Sequence, residues 1–235
     1  MEIWKVIVLF SSALFGGLTV FFSKQISANG LKLILSFSGA YLFAITVLHL
    51  IPEVYIGGSA SMGLYILAGF VFQIVLEQFS EGIEHGHIHI HSHAQKTFPI
   101  GVMLSLCIHA FFEGIPLVSA SGNELVFGIA LHHLPAAFAL ATVLLHHAIT
   151  GYRLVSYLAL FAFMSPLGYW VGTQAQAGSI DAWIQPIMAV VIGMFLHIST
   201  TILFESSVDH RFNFKKMLAV LLGLAGAILG FASSL

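Results

Sequence analysis

Two apolar stretches of this 235-residue chain carry side chains able to hold a metal ion. The first reads Ile108-His109-Ala110-Phe111-Phe112-Glu113-Gly114-Ile115-Pro116, the second Leu131-His132-His133-Leu134-Pro135-Ala136-Ala137. His109 and Glu113 are four residues apart, so on a helix they share a face, one turn from each other. Imidazole nitrogens with a carboxylate oxygen suit Zn(II) or a similar first-row divalent ion. Within a membrane such groups are costly unless they meet a cavity, a partner or an ion. His109, Glu113 and His132 are therefore the core candidate ligands. For His133 a plain helix-to-helix hydrogen bond is an equal reading. No HExxH run occurs, and Glu84-His85 has no second ligand at helical spacing, which argues against a zinc hydrolase and leaves no enzyme motif.

Composition sets the medium in which these groups sit. Hydrophobic residues make up 58% of the chain and charged residues 8%, whereas soluble domains carry about 25% charge. That charge content cannot clothe a water-exposed surface, so an all-α polytopic membrane protein is expected. Eight Lys and Arg spread over many connections form no basic patch, and no nucleic-acid partner is expected. The single Cys107 excludes an internal disulfide and reads as a small buried side chain.

Polar and Gly/Pro-rich breaks cut the chain into eight expected transmembrane helices, at residues 4–22, 32–52, 60–79, 99–119, 124–148, 152–172, 184–206 and 215–233. The first follows the N-terminus directly and reads as a span rather than a signal peptide. The fifth and seventh are the longest and should tilt or protrude. Residues 1–235 then form one transmembrane domain, with 80–98 as the one long connection. Lys24, Lys32, Lys96, Arg153, Arg211, Lys215 and Lys216 all fall on one side of this arrangement, with Lys5 alone opposite. Basic connections stay cytoplasmic, which puts both termini outside. Trp4, Trp170 and Trp183 fall near the outer boundary, as interfacial anchors do.

In this arrangement the fourth and fifth helices run antiparallel. His109 lies about 15 Å above the inner start of the fourth helix, Glu113 about 6 Å higher, and His132 about 12 Å below the outer start of the fifth. The three can thus meet near the middle of a slab about 30 Å thick. His133 lies about 100° around the helix from His132. Both serve one cavity only if the helix faces it broadly or is distorted, and Pro135 is a reason for distortion, as Gly114 and Pro116 are near Glu113.

Other polar groups mark other depths. His49 and Glu53 repeat the four-residue spacing near the outer mouth, as an entrance, a gate or a structural pair. His197, with Ser199, Thr200 and Glu205, gives the seventh helix a partly polar face, although Ser199 and Thr200 can simply bond to the preceding turn. His146 and His147 end the fifth helix inside, either to receive an ion or to snorkel at the interface. His85, His87, His89, His91 and His93 alternate with small or apolar residues in the long connection, a pattern suited to weak, exchangeable metal binding.

On these motifs the chain resembles the ZIP (Zrt/Irt-like) divalent metal transporters, in particular their small prokaryotic-type members, over nearly its whole length. The family pattern His-Asn-x-Pro-Glu-Gly falls on His109-Ala110-Phe111-Phe112-Glu113-Gly114, and its counterpart in the fifth helix on His132-His133-Leu134-Pro135-Ala136-Ala137. His49-Leu50-Ile51-Pro52-Glu53 matches the second-helix signature, and Ser165-Pro166-Leu167-Gly168 matches Glu-Pro-Leu-Gly in the sixth. Ala110 and Phe112 stand where relatives have Asn and Pro, and Ala136 and Ser165 where they have glutamate. The resemblance thus implies a ZIP-like fold of eight helices with one main metal site, His109, Glu113 and His132, instead of two. It implies uptake of a divalent cation, Zn2+ first, as cargo, without a resident cofactor. It further implies a homodimer in the bacterial cytoplasmic membrane, termini outside and the His-rich loop inside. The mechanism implied is alternating access, with helices two, four, five and seven moving the ion past the other four. His49 and Glu53 would collect the ion outside, and His146, His147 or the loop histidines would accept it inside. The competing reading is a metal-sensing or transport-deficient relative, whose missing carboxylates let it bind an ion without moving it.

Overall fold

A computed structural model describes residues 1–22, 28–56, 60–80, 82–83, 98–118, 124–178, 181–205 and 213–234. Eight helices in it are long and apolar enough to cross a membrane: α1 Ile3–Phe21, α2 Gly30–Ile56, α3 Met62–Ser80, α4 Ile100–Val118, α5 Glu124–His146, α6 Gly151–Ala177, α7 Ile184–Phe204 and α8 Phe214–Ala232. There is no strand among the described residues. The longest spans are α2 and α6, at 27 residues each, rather than the fifth and seventh. Each of these two runs through a proline instead of stopping at it. In α2 the accommodation is visible: residues Thr46–Leu50 open into a π-helical turn, and Ile51 N–H bonds to the Thr46 carbonyl five residues back. A π turn of this kind absorbs the carbonyl clash that Pro52 would cause and re-aims His49 within it.

The enclosure of the helices follows their composition. Most of α5 is buried by its neighbours, while α8 turns Leu218, Leu221, Leu222 and Leu229 outward. Without a hydrophobic drive between helices in lipid, close packing at small residues does the work. A Cβ at Gly69 on α3 would lie 1.9 Å from the Val190 carbonyl oxygen on α7, and one at Gly193 on α7 would lie 1.9 Å from that of Ile66. The same reciprocal contact joins α4 to α6, where Gly114 meets Ser165 and Gly168 meets Phe111 backbone to backbone.

The main contacts sort the helices into two groups. α1 packs along α5 and α6, and α4 along α6; α3 packs along α7, and α2 along α8 and α7. Contacts of α2 with α5 and of α3 with α4 join the groups. The packing thus sets α4 and α5 with α1 and α6, whereas the family likeness implied that helices two, four, five and seven move together; glycines set close backbone approaches inside both groups. Ala13, Leu106, Ala110, Ala137, Leu158 and Phe161 form a core inside that group, and Ala136 belongs to it too, so the missing glutamate position is filled by apolar packing.

Ser165, at the other missing carboxylate, donates its hydroxyl to the Ala110 carbonyl of α4 at 2.7 Å. Interhelical hydrogen bonds in membranes average about 0.6 kcal/mol. Ser165→Ala should therefore lower the thermal unfolding midpoint of the purified protein only slightly, by a degree or two, and leave metal binding in place.

Candidate metal centre

Glu113 sits in the last turn of the α-helical part of α4, which ends at Gly114. Ile115 N–H turns back to the Phe112 carbonyl, three residues away, and Ile115–Val118 continue as 3₁₀ helix. Pro116 lacks the donor an α-helix would need there, so the tightening follows from the sequence. Opposite, α5 stays continuous through Pro135.

Between these two helices Glu113 is completely buried and meets a histidine of each. Its Oε1 lies 3.1 Å from His109 Nε2, and its Oε2 accepts from His133 Nε2 at 2.6 Å. One ligand atom each from His109, Glu113 and His132 lies within 4.8 Å of the others, all three residues being buried. The His109 and His132 rings stand 5.9 Å apart and nearly perpendicular. His132 and His133, although adjacent in sequence, both lie beside Glu113: His133 on its Oε2, and His132 within 4.8 Å of the Glu113 and His109 ligand atoms.

The chemistry of this donor set is that of a cation site. Tetrahedral zinc at 2.0–2.1 Å from its ligands spaces them about 3.4 Å apart; His109 Nε2 and Glu113 Oε1 already stand 3.1 Å apart, and His132 lies within 4.8 Å of both residues' ligand atoms. Two imidazoles and one carboxylate leave a fourth tetrahedral position open, as three-ligand zinc sites do. His133, hydrogen-bonded to the same carboxylate, orients it from the other side.

The remaining candidates lie apart. His49 is partly buried, edge-on to Phe231 at 4.9 Å between ring centroids, and neither ring nitrogen has a hydrogen-bond partner among the described residues. Glu53 lines a cavity of about 330 Å³ with Met62, Gln176, Gln185 and Met188, and its buried Oε2 has no hydrogen-bond partner among the described residues. His197 does not join the central cluster; its Nε2 pairs with Glu77 Oε2 of α3, and Phe70 packs edge-on to its ring. Thr200 bonds back to the Leu196 carbonyl at 2.7 Å, while the buried Ser199 hydroxyl makes no hydrogen bond among the described residues. His147 Nδ1 caps its own helix on the Val143 carbonyl at 2.9 Å. His85, His87, His89, His91 and His93 lie outside the described residues.

Sequence reasoning overlooked α3. Gln73 is fully buried there, and its amide oxygen accepts from His109 Nδ1 at 3.2 Å. One turn on, Glu77 holds His197. The signal was present: Gln73 and Glu77 repeat the four-residue spacing in a largely apolar segment.

Comparison with known proteins shows the family. A family model described as ZIP zinc transporter matches residues 83–232, which include α4 and α5. Zinc transporter ZIP1 of Danio rerio is 32% identical over 159 residues, covering 62% of this chain and 50% of that protein. Zinc transporter ZIP9-B of Xenopus laevis is 30% identical over 115 residues, 46% of this chain and 38% of that protein. The matched stretches thus span half of these relatives' length or less.

Proposed function

This chain belongs to the ZIP zinc transporter family, and from that premise we propose that it carries a divalent metal cation, Zn2+ first, across the bilayer. The observation that supports this reading most is a buried carboxylate held between histidines of two antiparallel helices, in a protein with eight membrane-length helices. The ion is cargo, and no chemical step is needed: the site must bind, be reached from each side in turn, and release.

The chain's own residues supply stages for such a path. The cavity beside Glu53 receives the ion at the outer mouth, with His49 one turn deeper. His109, Glu113 and His132 take it at mid-depth. Glu77 with His197 lies inward of Gln73 by one turn of α3, about 6 Å, and offers the next carboxylate and imidazole. His146, His147 and the histidine-rich loop accept the ion on the cytoplasmic side. Net flow is inward, with both termini outside, and the group α1, α4, α5 and α6 moves as one body against the other. The protein works as a homodimer in a bacterial cytoplasmic membrane.

Uptake of radiolabelled zinc into proteoliposomes tests the reading. The parent protein should show saturable uptake, and His109→Ala should reduce it at least tenfold at sub-saturating zinc. A second reading, binding without transport, draws on Ala136 and Ser165, which leave Glu113 as the only carboxylate in the cluster among the described residues. It would be revealed by tight zinc binding to the purified protein with no flux above empty vesicles.

A further inference from the structure

α3 presents most of its surface outward, and its buried positions Met62, Gly69, Gln73, Leu76 and Ser80 form a single stripe. Gln73 is the only side chain on that stripe with an amide, and it is fully buried. Burying an amide is unfavourable unless it is hydrogen-bonded, and Gln73 meets that need on a metal-ligand candidate, at 3.2 Å from His109 Nδ1. We propose that Gln73 is a positioning residue for the metal centre, fixing the tautomer and ring orientation of His109 from across the boundary between the two helix groups. The inference rests on the metal-binding reading of His109, Glu113 and His132 and adds a determinant of that site's affinity.

The physical reason lies in the donor and acceptor inventory. An amide oxygen only accepts, so His109 Nδ1 must carry the hydrogen. In the neutral ring Nε2 then holds the lone pair, and Nε2 is the nitrogen 3.1 Å from Glu113 Oε1. Two electron-rich atoms at that separation repel until a cation lies between them. Gln73 thus keeps the ligating nitrogen aimed at the carboxylate. Histidine ligands elsewhere commonly donate their second N–H to such a partner, and losing it costs 10–100-fold in metal affinity. Here that partner comes from α3 while the ligands come from α4 and α5, so the bond can form only when the two helix groups are in register.

Zinc titration calorimetry and the visible absorption of bound Co(II), both on the detergent-purified full chain, test this without requiring transport. Gln73→Leu should weaken zinc binding about 10–100-fold and alter the Co(II) spectrum, since one imidazole loses its fixed orientation. Gln73→Glu keeps an acceptor at the same place and should restore both readouts to near the parent. Gln73→Met repeats the loss in a flexible side chain of similar length if Gln73→Leu does not fold. Parent affinity and spectrum in Gln73→Leu or Gln73→Met would overturn the proposal, as would equal losses in Gln73→Glu and Gln73→Leu. Absence of zinc binding by the parent would instead overturn the metal site on which it rests.

Discussion

Glu113→Ala is expected to abolish saturable zinc uptake and to weaken zinc binding by about a hundredfold to a thousandfold. The size follows from what the carboxylate does. Among the described residues it is the one anionic group in the cluster, completely buried, and it touches His109 through one oxygen and His133 through the other. A dication brought from water into this enclosure gives up its hydration, and a formal negative charge at contact distance is what offsets that loss. Removing one member of a buried charged pair costs about 3–5 kcal/mol, and 1.4 kcal/mol is a factor of ten. Glu113→Gln separates charge from shape, since the amide keeps the volume and one acceptor. It should fall close to Glu113→Ala in affinity while retaining more of the thermal stability. Calorimetry and vesicle flux on the same preparations check both statements, and parent-like flux in Glu113→Ala would place the ion's route elsewhere.

Gly168→Val is expected to have the largest effect on folding. A Cβ at Gly168 would fall 1.9 Å from the Phe111 carbonyl oxygen and 3.3 Å from Gly114 Cα. The obstacle is backbone of α4, two residues before Glu113, and backbone cannot swing aside as a flexible side chain does. α4 must therefore move away from α6, and the Ser165–Ala110 hydrogen bond goes with it. Overpacking a core costs about 1–3 kcal/mol when side chains can yield, and here they are not what blocks. Gly168→Val should fail to give a monodisperse folded protein in size-exclusion chromatography. Gly168→Ala should fold with a lower unfolding midpoint and at least tenfold weaker zinc binding, because Glu113 is displaced from the histidines of α5. Gly226→Ala is the control: its added methyl would stand 3.5 Å from the Tyr41 ring, an ordinary contact.

Much of the scaffold was legible without coordinates. Apolar runs of membrane length admit only a closed backbone conformation, so eight hydrophobic segments became eight helices, with ends that moved by a few residues. The exceptions have local causes. Pro52 reads as a terminator, yet a π turn lets α2 continue to Ile56; no sequence period distinguishes these outcomes, because the neighbours decide whether the chain beyond stays buried.

The site was legible to the extent that its ligands lie on single helices. His109 and Glu113 are bound to share a face because an α-helix repeats every 3.6 residues, and counting along two antiparallel spans set His132 at the same depth. Sequence spacing has no say across helices. That His133 reaches the second oxygen of Glu113, that Gln73 on α3 holds the far nitrogen of His109, and that His197 pairs with Glu77 are decided by which surfaces meet. Those meetings depend on where glycines let backbones touch, a property of pairs of helices that no single stretch of chain contains. The chain by itself determined which groups lie at mid-depth; the packing of α3, α4 and α5 determined which of them act on one another.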